Sequence, residues 1–224
     1  CIRDRCSGCN FRLAKKDLLV VFLLSLLRAT TSFSLLIAYQ NIATGVASTI
    51  HFMYPLAVSL AMMFFFHEKK SLLVMLAVLM SLFGAALLSS GELEAKSGDT
   101  IVGLVAACIS VFSYGGYIIG VRTTRAAQIN STVLTCYVMG MGAVLYLIGA
   151  MATFGLHLVT DGYIWLIILG LALPATAISN ITLVRAIKYA GPTLTSILGA
   201  MEPLTAVVIG VFVFKELFTL NSVI

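Results

Sequence analysis

The chain has 224 residues, of which 60% are hydrophobic and only 10% charged, with mean hydropathy +1.07 and formal net charge +5. Soluble domains carry about 25% charged residues, so a water-soluble fold is excluded, and the basic balance is not read as a nucleic-acid surface. Five cysteines, odd in number and partly inside apolar runs, do not make a disulfide framework.

Residues 1–16 form a polar, basic segment with Arg3, Arg5, Arg12, Lys15 and Lys16. The first long apolar run starts at Leu18 and is too long for the h-region of a signal peptide. Seven apolar stretches then follow, at Asp17–Tyr39, Ala47–Phe66, Leu72–Ser89, Ile101–Val121, Thr132–Phe154, Tyr163–Ala186 and Thr193–Phe214. About 20 such residues cross a hydrocarbon core about 30 Å thick. The expected fold is an all-α polytopic membrane protein with seven transmembrane helices, its short connections punctuated by glycine and proline. Residues 217–224 read as the start of one more helix.

Lysine and arginine set the orientation of such a chain. With the N-terminal segment cytoplasmic, eleven Lys and Arg fall on the cytoplasmic side and two, Lys96 and Lys215, on the other, with Arg28 inside a span. The acidic loop with Glu92, Glu94 and Asp99 then lies outside.

The last span carries a carboxylate, Glu202, beside a proline, Pro203, in S-I-L-G-A-M-E-P-L-T-A-V-V-I-G-V-F-V-F-K-E. An ionisable group at that depth is costly and marks a functional site by default. A shift of 148 residues, without a gap, lays Pro55 on Pro203, Ser48 on Ser196, Met53 on Met201, Phe64 on Phe212 and Glu68 on Glu216. The chain contains a duplication. Five spans separate each residue from its counterpart, and five is odd, so the copies cross the membrane in opposite senses. Inverted repeats of this kind build many secondary transporters, with the substrate site at the repeat interface. The first copy is expected over 1–89 and the second over 101–224. Aligning the copies leaves two helices expected before residue 1 and one after residue 224, giving a parent of ten helices in an inverted five-plus-five repeat. A truncated product that does not transport is an alternative reading on the same count.

The pattern A-S-T-I-H-F-M-Y-P-L-A-V-S-L-A-M-M-F-F-F-H-E-K, and L-G-A-M-E-P-L-T-A-V-V-I-G-V-F-V-F-K-E after it, resembles the two halves of an EamA-type transporter of the drug/metabolite transporter superfamily. The resemblance implies ten helices, both termini cytoplasmic and a central substrate cavity. It is specific to superfamily and silent on substrate.

Glu202 has two readings. It is a structural carboxylate bonded to a neighbouring helix, or a site that recognises a cationic group or carries a proton as water access changes. Tyr54 is its counterpart in the first copy, and His51 lies three residues earlier on the same face. His51 is either a titrating group or hydrogen-bonded between helices, and Tyr54 is read as a cavity wall. Arg28 pairs with Glu202, binds an anionic group or bonds backbone carbonyls in a helix break. Asn180, with Ser179, and Tyr114, with Tyr117, are further polar cavity candidates. Pro55 and Pro203 are the expected helix breaks. Gly116-x-x-x-Gly120, Gly140 and Gly142 are read as sites of close helix packing.

Cys1-x4-Cys6-x2-Cys9 matches part of an iron–sulfur spacing, but the remaining cysteines lie in spans. His67-Glu68 lacks a second histidine at zinc-protease spacing. No metal, cofactor or enzymatic activity is expected. The function expected is a secondary transporter, an exporter of a small metabolite such as an amino acid, with protons as coupling ion. Sugar-phosphate or nucleotide-sugar carriage is the rival within the superfamily, disfavoured because Arg28 is the one cation at depth. The expected setting is the bacterial inner membrane, with a homodimer as the assembly to test.

Overall fold

A computed structural model describes residues 13–67, 76, 79, 80, 83, 98–153, 162–199, 201, 202 and 205. Every regular element among them is helical. In chain order these are α1 (Lys15–Asn41), α2 (Thr44–His51), α3 (Tyr54–Phe65), α4 (Thr100–Thr123), a 3-10 turn (Arg125–Gln128), α5 (Ser131–Thr153), α6 (Gly162–Gly170), a π-helical segment (Leu171–Ile178), α7 (Ser179–Ala190) and α8 (Pro192–Gly199).

Five stretches are long and apolar enough to cross a membrane: Lys15–Asn41, Thr44–Phe65, Thr100–Thr123, Ser131–Gly149 and Gly162–Ala190. They coincide with five of the seven stretches read from the sequence. Of Leu72–Ser89, only residues 76, 79, 80 and 83 are described, and all four are helical. Thr193–Phe214 is described only as far as residue 205. The basic segment over residues 1–12, its three cysteines and Pro203 lie outside the described residues.

The burial pattern is that of a chain dissolved in lipid. On α1 the buried stripe is Val21, Leu24, Ser25, Thr31, Ser34 and Ala38, while Leu18, Leu19, Phe22, Leu23, Leu26, Leu36 and Ile37 are exposed. On α4 the buried set includes Ala106, Ala107, Ser110, Ser113 and Tyr117, with Ile101, Val105, Ile109 and Phe112 outside. In water the large apolar face turns inward. Here small and hydroxyl-bearing residues face the protein and let helices approach, as membrane helices do. Two of the hydroxyls on α1 bond carbonyls one turn back: Ser25 Oγ donates to Val21 O and Ser34 Oγ to Thr30 O, both at 2.7 Å. The chain is an all-α polytopic membrane protein.

Two of the spans are less regular than their hydropathy suggests. Ala47–Phe66, expected as a span with a break at Pro55, is divided at Phe52–Met53 between α2 and α3. Pro55 sits at the start of α3, where its fixed φ suits a first turn but its nitrogen has no hydrogen to continue the preceding ladder. The span read as Tyr163–Ala186 widens into a π-helix over Leu171–Ile178 around Pro174, another nitrogen with no hydrogen to donate.

The chain divides into two compact units. The first comprises residues 1–29 and 120–191, and the second residues 30–119 and 192–224. In the first unit α5 packs against α7, and Gly120 lies so close to Leu24 that an added Cβ would stand 2.7 Å from Leu24 Cδ2. Arg122 donates to Lys188 O and Lys188 Nζ to Ile129 O, tying together the ends of α4 and α7 and the turn before α5. Asp17 pairs with Arg125 at 3.8 Å; exposed as it is, that pair adds little stability.

In the second unit Ala38, Ile42, Ala47, Ala106 and Ala107 form a core of small residues joining α1, α2 and α4. Asp99 caps α4, accepting from Ile101 N at 2.9 Å. Its own backbone N–H donates to Asn41 Oδ1 at 3.0 Å, which anchors the cap to the end of α1.

Within this unit α8 packs along α3. The last residue of α8, Gly199, lies against the side chain of the first residue of α3, Tyr54. With its C-terminal end at the start of α3 and its body along α3 rather than α2, α8 runs antiparallel to α3.

Gly140 and Gly142 do not behave as packing positions. An added Cβ at either meets no described neighbour within 4 Å, because Gly140 borders an open recess. That recess, of about 520 Å³ in the first unit, is lined by Phe22, Cys136, Tyr137, Met141 and other apolar residues of α1 and α5. Its lining offers a small molecule shape but almost no directional bonding.

Candidate transport site

The two helix interruptions have the same hydrogen-bond pattern. Met53 N donates to Ile50 O at 3.0 Å and Ala57 N to Met53 O at 3.2 Å. Counting on 148 residues, Met201 N donates to Leu198 O at 3.1 Å and Thr205 N to Met201 O at 3.0 Å. In each case a tight turn closes one helix and an α-type bond opens the next. The residue that restarts the helix is Tyr54 in one case and Glu202 in the other. These are the two positions that the internal alignment of the sequence superimposes.

Both lie in the second unit. Tyr54 is 3% exposed, and Glu202, which is exposed, follows three residues after Gly199, which lies against the Tyr54 side chain. Three rings pack around the break in α2–α3. Tyr54 and Tyr114 meet edge to face with centroids 4.7 Å apart, and His51 stands 5.6 Å from Tyr54 and 5.5 Å from Tyr114. Such spacings are those at which aromatic pairs attract beyond their burial. Tyr117, fully buried, stacks at 6.3 Å on Tyr114 from one turn further along α4. His51 and Tyr114 are half-buried, whereas Tyr54 and Tyr117 are buried.

A hydroxyl ties His51 to α4. Ser110 Oγ bonds Ala107 O at 2.6 Å and lies 2.9 Å from His51 Nδ1, so the ring is held between helices through one serine.

Arg28 and Asn180 meet in the first unit. Arg28 Nη2 donates to Asn180 Oδ1 at 3.4 Å, and Asn180 Nδ2 donates to Thr176 O at 2.7 Å. Thr176 lies in the π-helical segment, whose wider turn leaves carbonyls needing donors; the buried Asn180 amide answers that need and is itself held by the guanidinium. Arg28→Ala is expected to strip this support and cost about 1–3 kcal/mol. In a chain of this size that lowers the detergent melting temperature by about 2–12 °C. An unchanged melting curve would show the bond to be incidental.

Two residues at this site escaped the sequence reading, Ser110 and Gly199. Ser110 precedes Tyr114 by four residues and so shares its face, a signal available from spacing alone. Gly199 is the counterpart of His51 after the 148-residue shift, small where the first copy is large, and that difference admits the Tyr54 side chain. Among the described residues, no three His, Cys, Asp or Glu gather where a metal could bind.

A bundle of lipid-facing helices with broken spans, a carboxylate at one break and aromatic rings around the other defines a membrane transporter. The model of the EamA-like transporter family matches residues 101–224, more than half of the chain, and the chain belongs to that family, within the drug/metabolite transporter superfamily. No curated protein matches the chain.

Proposed function

We propose that the chain works as a secondary transporter that exports a small metabolite, such as an amino acid or related compound, by alternating access. The observation that carries this reading is the recurrence of one helix break in two helices that run in opposite directions, with Gly199, beside the second break, packed against Tyr54 at the first. Two copies of a unit inserted upside down relative to each other can exchange conformations and so open one site to either side in turn. The copies are the stretches to residue 89 and from residue 101. Glu202 is both a substrate contact and the carrier of the coupling proton, with His51, Tyr54 and Tyr114 around it. The basic segments face the cytoplasm of a bacterial inner membrane. A sugar-phosphate carrier would need cations to meet its dianionic head, and the described residues of the second unit contain neither lysine nor arginine.

Counterflow in proteoliposomes tests this. Vesicles loaded with a mixture of unlabelled amino acids and amines should accumulate a labelled member of the set, saturably and without ATP. Absence of exchange for every member would overturn the reading.

A further inference from the structure

The apolar recess of the first unit has a basic rim. It lies between α1 and α5, holds about 520 Å³, and is walled by Phe22 from α1 and by Cys136, Gly140, Val144 and Ile148 among others from α5. Both helices are membrane spans. Neighbouring side chains, Leu19 and Leu26 on α1 and Leu147 and Met151 on α5, are exposed and apolar, so the recess opens towards lipid. Its wall on α5 runs from Cys136 to Ile148, about 18 Å along a helix. One leaflet of a hydrocarbon core is about 15 Å deep. The recess is therefore as long as an acyl chain laid along α5.

The two helices begin at the same end of the unit. Asp17, in the first turn of α1, pairs at 3.8 Å with Arg125, which opens the short turn leading into α5. Lys15 and Lys16 precede Asp17, and both, like Arg125, are exposed. Lys15 comes seven residues before Phe22. Two helical turns put it on the stripe of α1 that walls the recess, about 10 Å nearer the membrane surface. Three cations thus gather with one carboxylate at the head of the groove, and residues 1–12, which lead into α1, add three arginines and one aspartate in sequence.

An apolar groove below ammonium and guanidinium groups complements both ends of a lipid: the tail by shape and the phosphate by charge. We propose that this groove binds an anionic phospholipid, its phosphate at Lys15, Lys16 and Arg125 and one acyl chain along α5. A zwitterionic headgroup brings a cation of its own to a rim that is already basic, so the anionic lipid is selected. A free phosphate compound leaves the groove unfilled and gains only contacts that salt screens. The lipid site lies in the first unit and the substrate reading rests on the second, so either can fail alone.

Native mass spectrometry of the purified 224-residue chain tests this with three probes: dioleoylphosphatidylglycerol, dioleoylphosphatidylcholine and glycerol 3-phosphate. One phosphatidylglycerol should bind saturably and at least about tenfold more tightly than phosphatidylcholine, since each basic residue at a membrane surface strengthens anion binding about fivefold. Glycerol 3-phosphate should not compete. Lys15→Gln with Lys16→Gln should weaken phosphatidylglycerol binding about 5- to 30-fold and leave phosphatidylcholine unchanged. Gly140→Leu should fill the groove. An added Cβ there meets no described neighbour within 4 Å, so the melting temperature should hold while binding of both lipids falls. Gly142→Leu, equally unobstructed but not part of the lining, should change neither. Equal affinity for the two lipids, or phosphatidylglycerol binding untouched by the double lysine variant or by Gly140→Leu, would overturn the site. Displacement by glycerol 3-phosphate would make it a soluble-phosphate site, and a dimer that Gly140→Leu dissociates would make the occupant a second copy; either also overturns it.

Discussion

Glu202→Gln is expected to reduce proton-driven transport by about tenfold or more while leaving the chain folded. The substitution keeps the shape and a carbonyl acceptor but removes the charge and the exchangeable proton. A hydrogen bond to a charged partner contributes about 1.5–3 kcal/mol, and every 1.4 kcal/mol is tenfold in rate or affinity. The lower end applies because Glu202 is exposed. The sharper signature is in the driving force. Efflux through the native chain should respond to an imposed pH gradient, and the variant should be indifferent to it while retaining slow exchange. A Glu202→Gln variant whose flux still follows the gradient would remove Glu202 from the coupling step. Melting temperature measured alongside distinguishes lost chemistry from lost structure.

Gly199→Val is the second large effect, and it acts through packing. A Cβ at Gly199 would overlap the Tyr54 hydroxyl. Tyr54 cannot simply swing aside, because it is 3% exposed and its ring is held by Tyr114 at 4.7 Å and His51 at 5.6 Å. Either α8 moves off α3 or the aromatic cluster is displaced, and overpacking of this kind costs about 1–3 kcal/mol. The melting temperature should fall by about 2–12 °C, with transport lost more severely because the displaced residues line the site. Gly199→Ala combined with Tyr54→Phe is the diagnostic pair. Removing the hydroxyl makes room for the methyl group, so the double variant should be more stable than the sum of the single effects implies. Strict additivity would mean that Gly199 and Tyr54 do not share the space assigned to them.

Much of this organisation is legible in the residues themselves, for physical reasons. A chain in lipid must make its backbone bonds within each span, so apolar length translates directly into helices. That is why Lys15–Asn41, Thr100–Thr123 and Ser131–Thr153 fall within two residues of the stretches read from hydropathy. Pro55 announces the interruption at Phe52–Met53 because proline cannot donate to the preceding turn. The matching breaks at Tyr54 and Glu202 follow from aligning the chain with itself, since the 148-residue shift superimposes two interruptions that share their hydrogen bonds. Other features depend on which side chain reaches which neighbour, and no periodicity encodes that. The π-helix at Leu171–Ile178 leaves no hydropathic trace. Arg28 gave three alternative partners in sequence, and its bond to Asn180 depends on how α1 and α7 are placed. Ser110 is one more small residue on a helix face in sequence, and only its two hydrogen bonds show that it holds His51 against α4.

Accessibility at the aromatic cluster tests most directly whether one site is offered to the two sides of the membrane in turn. Tyr114→Cys, in a background with the five native cysteines replaced by serine, would be exposed to an impermeant thiol reagent added to one face of proteoliposomes at a time. The account predicts labelling from both faces, and a transported substrate that slows labelling from each. Labelling confined to one face, or at a rate no substrate alters, would contradict it.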